Sequence, residues 1–133
     1  DDFLRQRVAA TPDAAPEVMW AWDRLIGSNG SARILDIADD IGWSRKHLRA
    51  RFLEQIGLAP KTVGRIMRFQ TAIQKIGAAH KVNWATLAAD CGYADQAHFN
   101  RDFRDFADAA PESYLRARLP DSEVGFMVAD DGR

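Results

Sequence analysis

The sequence predicts an all-α fold made of two similar helical units, and three observations predict it. Apolar residues recur at steps of three and four along most of the chain. Outside the short run EVGFMV near the C-terminus, no segment sustains the every-second-residue alternation of a half-buried strand. A stretch of helix, glycine turn and helix also occurs twice, at an offset of about fifty residues.

The elements follow in order. Residues 1–10 read as one or two helical turns with Phe3, Leu4 and Val8 on one side, and TPDAAP (11–16) reads as a linker. Pro16 can open a helix at its first position, where a missing N–H costs nothing, and Val18, Met19, Trp22, Leu25 and Ile26 keep helical spacing to Gly27. GSNGS (27–31) is a loop. Ile34, Leu35, Ile37, Ala38 and Ile41 form a short helix closed by Gly42. Ser44 caps the next helix, which runs to about Ile56 before Gly57. Pro60 opens a long helix to about Ile76. Asn83 caps a short one ended by Gly92, Asp95 caps another through Phe106, and Pro111 starts the last.

The repeat aligns Ala38-Asp39-Asp40-Ile41-Gly42-Trp43 with Ala88-Ala89-Asp90-Cys91-Gly92-Tyr93. One extra residue in the second turn then sets Ser44 on Asp95, His47 on His98, Leu48 on Phe99, Phe52 on Phe103 and Pro60 on Pro111. Each unit has the pattern of a helix-turn-helix. The expected organisation is a linker or remnant of an upstream domain at 1–15, a first unit at 16–58, a linking helix at 59–78, a second unit at 79–119 and an acidic tail at 120–133. A first residue of Asp rather than Met suggests a fragment with something upstream.

Composition narrows the function. With 133 residues and 47% hydrophobic content, the chain suits one globular domain, or two small subdomains sharing a helix. One cysteine excludes an internal disulfide framework and points to a reducing cytoplasm, and no apolar run approaches the ~20 residues that cross a bilayer. The net charge of −1 hides a strong segregation. Residues 44–81 hold nine Lys/Arg against one acid, net +8, whereas 1–43 carry −4, 82–119 carry −2 and 120–133 carry −3. Solvated helix faces interleave both signs, so a one-sign block suggests a polyanion partner.

Taken together, ILDIADDIGWSRKHLRARFLEQIGLAPKTV and LAADCGYADQAHFNRDFRDFADAAPESYL resemble the C-terminal DNA-binding domain of AraC/XylS-type transcription regulators. The resemblance covers about Ile34 to Leu115. The second stretch is the more diagnostic, with its Gly-aromatic, His-Phe, Arg-x-Phe and Pro-x-x-Tyr pattern. It implies two homeodomain-like helix-turn-helix subdomains on a long linker helix, each placing a recognition helix in a major groove of double-stranded DNA. Two such helices are expected to touch groove segments about one helical turn, ~34 Å, apart. One departure is Asp108, where the family usually has glycine; Asp tolerates a left-handed turn better than most residues.

On a helix starting after Ser44, Leu48 and Phe52 face the core and Arg45, Lys46 and Arg49 lie opposite. Arg49 can offer two parallel donors to guanine O6 and N7, and Lys46 a point charge to the same edge. The second unit offers Gln96, Ala97, Asn100 and Arg101; Gln and Asn suit adenine, and Arg101 suits guanine. Phosphate contacts are expected from Lys61 and Thr62 after Pro60, and from Ser113 after Pro111. His47 and His98 either cap their helices or touch phosphate, and Arg51 meets a phosphate or a surface acid. Arg65 and Arg68 serve either as further phosphate contacts or only to keep the linker helix soluble.

The remaining residues carry blander expectations. Cys91 aligns with the core position Ile41 and reads as a buried, inert thiol. Trp43 and Tyr93 are expected at the turns, and Trp20, Trp22 and Trp84 in the core or at helix contacts. No metal set, cofactor motif or catalytic constellation is present in the sequence, so an enzyme has nothing in its favour. The competing class is a protein-interaction domain whose basic face binds an acidic partner such as RNA polymerase. The effector, in this family, belongs to a separate domain.

Overall fold

The structure, a computed structural model, describes residues 13–78 and 81–118. The expected N-terminal helix, His80, EVGFMV and the acidic tail lie outside the described residues. All seven elements among those residues are helices: α1 Pro16–Gly27, α2 Ile34–Ile41, α3 Arg45–Ile56, α4 Pro60–Ala78, α5 Trp84–Asp90, α6 Gln96–Ala107 and α7 Pro111–Arg118.

Local chemistry sets the ends of these helices. Ser44 Oγ accepts the His47 N–H at 3.0 Å to start α3, Asn83 Oδ1 accepts the Thr86 N–H at 3.0 Å to start α5, and Asp95 Oδ1 accepts the His98 N–H at 2.8 Å to start α6. Each satisfies a donor that the first helical turn leaves orphaned. The turns of the two units also match at the backbone. Gly42 and Gly92 both sit at φ 89°, and the following Trp43 and Tyr93 N–H groups donate at 3.0 Å to the carbonyls of Ala38 and Ala88. Helix α3 ends at Gly57 (φ 91°), and α6 ends at Asp108 (φ 56°), whose N–H reaches the Arg104 carbonyl at 2.9 Å. The left-handed turn therefore survives the departure from glycine.

The chain divides into two compact units, Asp1–Met67 and Arg68–Arg133, with the division falling inside α4. The first core joins Val18, Trp22 and Leu25 of α1, Ile37 and Ala38 of α2, Leu48, Phe52 and Ile56 of α3, and Val63 and Met67 from the start of α4. Trp22 stacks with Phe52 at 6.4 Å between ring centroids. The second core joins Ala72 and Ile76 from the rest of α4, Trp84, Leu87 and Ala88 of α5, Cys91, Tyr93, Phe99, Phe103 and Leu115. The linker helix thus donates an apolar stripe to each unit in turn, serving as the last helix of one and the first of the other.

In the first unit the loop after α1 is seated tightly. Gly30 has φ +80°, and a Cβ placed there would lie 2.3 Å from the Gly64 carbonyl oxygen of α4. Only glycine combines that conformation with so close an approach. Trp20 departs from expectation: it is 42% exposed, with the Arg24 guanidinium 5.0 Å over its ring, because its neighbours Val18, Ala21, Trp22 and Leu25 hold the buried face of α1.

Candidate nucleic-acid interface

Helix α3 spends its apolar residues on one side. Leu48, Phe52 and Ile56 are buried, which turns Arg45, Lys46 and Arg49 outward, and all three are exposed. They do not stand on a flat surface. Together with Ile34, Ala59, Pro60 and Lys61 they line an open concavity of about 390 Å³. Its walls carry four cations and no carboxylate, on an apolar floor. Ile34, Arg45 and Pro60 are the first residues of α2, α3 and α4. Three helix N-termini, each a region of positive partial charge, therefore open at this one place.

The other expected contacts of the first unit sort differently. Thr62 is half-buried and outside the concavity lining. Arg51 forms an ion pair with Glu54 one turn on, so of its two expected partners the structure supplies the surface acid. His47 contributes its backbone N–H to the cap, while its exposed ring meets Trp43 edge-on at 4.5 Å.

In α6, Phe99 and Phe103 are fully buried; Ala97 and Arg101 are exposed, and Gln96 and Asn100 are half-buried. Ser113 is exposed in the first turn of α7. The imidazole of His98 is engaged inside the unit: Nδ1 accepts the Ala94 N–H at 3.3 Å, Nε2 stands 3.7 Å from Asp102 Oδ2, and the ring lies edge-on to Tyr93. These contacts fit the capping role.

Residues 37–117 match the family of helix-turn-helix domains of the AraC type. The chain belongs to that family. Its membership makes it a DNA-binding domain of transcription regulation. Solved structures share the fold of this AraC-type domain. The C-terminal domain of AraT, a response regulator from Geobacillus stearothermophilus, is 18% identical with a TM-score of 0.72, over 81% of this chain and 90% of that one. An AraC-type transcriptional regulator from Chromobacterium violaceum is 21% identical with a TM-score of 0.63, over 80% and 95%. The xylose-binding transcription activator xylR is 19% identical with a TM-score of 0.57, and the match covers 80% of this chain but 28% of that protein. No curated protein matches in sequence.

The AraC-type domain also holds a polar cluster that periodicity did not reveal. Asp102 in α6 is buried at 6% exposure, with Arg68 Nη2 of α4 4.0 Å from its Oδ2. The Arg68 guanidinium lies 5.6 Å over the Tyr93 ring. The only sequence signal was the four-residue spacing of His98 and Asp102 on one flank of the helix. Arg68 is therefore an internal ion-pair residue rather than a solubilising one. Cys91 is buried as expected, and burial pushes its thiol above the ordinary range, partly opposed by Lys75. Among the described residues no helix is long and apolar enough to cross a membrane.

Proposed function

We propose that the chain binds double-stranded DNA with sequence specificity, α3 and α6 each entering a major groove. The observation that carries this reading is the acid-free concavity on which Arg45, Lys46, Arg49 and Lys61 converge. The negative potential of a DNA groove suits such a cluster, and the phosphate that Lys61 neutralises at its edge releases condensed counterions. In this reading Arg45, Lys46 and Arg49 face base edges from α3, and Gln96, Ala97, Asn100 and Arg101 do so from α6. Lys61 holds the backbone beside the first helix, with Thr62 and Ser113 as further backbone contacts. Selecting bound duplexes from a random-sequence pool tests this directly. A strong consensus is expected. Retention of an acidic protein partner without any enriched duplex would move the basic face to the competing class.

Two substitutions separate reading from holding. Arg49→Ala should weaken binding to the selected site by ~1–3 kcal/mol and leave scrambled DNA nearly unaffected, since a lost bidentate contact costs only where the base matches. Lys61→Ala should weaken both and lower the slope of log affinity against log salt by about one unit. Salt titrations of the two variants on both duplexes are the measurement. Identical behaviour would mean that bases and phosphates are assigned to the wrong side chains.

A further inference from the structure

Building on the DNA reading above, we propose that Asp102 and Arg68 are a positioning pair that sets α6 so that Gln96, Asn100 and Arg101 meet their bases. A carboxylate with 9% side-chain exposure is costly unless a cation and hydrogen-bonding groups surround it. Here the surroundings come from separate elements. Arg68, itself 15% exposed, reaches it from α4 at 4.0 Å. His98 reaches it from the first turn of α6 at 3.7 Å. Because His98 Nδ1 accepts the Ala94 N–H, the neutral ring carries its proton on Nε2, the nitrogen that faces Asp102. Tyr93, in the turn before α6, lies beneath the Arg68 guanidinium and edge-on to both His98 and Phe99. The carboxylate thus faces groups of the linker helix and the recognition helix, and the turn joins them through Tyr93 against Arg68 and His98.

Two comparisons within the molecule make this more than a stray ion pair. The equivalent residue of α3 is Arg51, which pairs with Glu54 of the same helix at the surface and so ties α3 to nothing else. The reading side chains also differ. Those of α3 are long cations that can follow a displaced base, whereas Gln96 and Asn100 are short, half-buried amides. Productive contacts from such groups need placement to within about 0.5 Å. Apolar packing of Phe99 and Phe103 resists expulsion of the helix but penalises small rotations weakly. An ion pair at 4.0 Å between elements adds an attraction that weakens as the helix turns away.

The test compares Arg68→Leu, Asp102→Leu and the double variant, each measured for thermal midpoint and for base preference in duplex selection. Each single variant strands a partly buried charge and should lower the midpoint. The double variant removes both charges and should recover the midpoint, as apolar replacements of buried pairs do. Its discrimination at the bases read by the second unit should still fall about tenfold, comparable to one lost base contact, with those read by the first unit unchanged. Recovered stability with full discrimination would overturn the proposal, leaving the pair as mere packing. Equal loss across both half-sites would overturn it too. If the double variant does not fold, Asp102→Asn, which keeps shape and removes the charge, decides by the same criterion. A wild-type domain that selects no duplex would instead refute the DNA reading itself.

Discussion

Truncating Phe103 to Ala should strip hydrogen-exchange protection from residues 81–118 while residues 16–56 keep theirs, and Phe52→Ala should do the reverse. Both side chains are fully buried. Phe103 meets Phe69, Phe99 and Tyr114 at centroid distances of 5.1, 5.6 and 5.2 Å, so its loss removes the hub of an aromatic cluster. A buried Phe→Ala change costs ~3–5 kcal/mol, a large share of the marginal stability of a small folded unit. The effect should stay local because the two buried clusters share no residue. Uniform loss of protection in either variant would replace two units by one cooperative core. With Phe103→Ala, the basic first unit should retain weak, salt-sensitive DNA binding.

Gly30→Ala should destabilise the first unit by about 2–5 kcal/mol. The left-handed backbone accounts for ~1–2 of this. Overpacking against the Gly64 carbonyl adds ~1–3, because the obstacle at 2.3 Å is helix backbone and cannot rotate aside. Gly42→Ala is the internal control. It has φ +89°, but a Cβ there would meet nothing within 4 Å, so only the backbone share should appear. Denaturant midpoints of the two variants isolate the steric share as their difference. Equal costs would show that the loop is not pressed onto α4.

The helices were legible because their ends are written in short-range chemistry. Ser44, Asn83 and Asp95 accept the N–H three residues on, Pro60 and Pro111 stand at first helical positions, and Gly42 and Gly57 turn left-handed. Each of these choices is decided within about four residues, the range over which sequence spacing is informative. The exposed face of α3 was legible for the same reason. What spacing could not supply was convergence: Lys61 joins Arg45 and Arg49 on one concavity only because the turn after α3 brings the start of α4 to the same place. Asp102 escaped for the same reason. A carboxylate is expected outside unless a partner is known, and that partner lies on another helix. Trp20 failed in the opposite direction, its size suggesting burial that the phase of α1 denies it.

The lone cysteine has a practical corollary. Cys91 lies within the second core at 3% exposure, with its thiol held in the protonated form by burial. Disulfide reagents attack thiolates that they can reach, so the intact unit offers them no substrate. The rate at which such a reagent consumes the thiol is then a clock for opening of the second unit alone. It runs in the native chain without an engineered label, and it does not register opening of the first unit. A duplex that binds only the folded form should slow that clock by mass action, so a spectrophotometric thiol reagent can report occupancy of α6 by DNA.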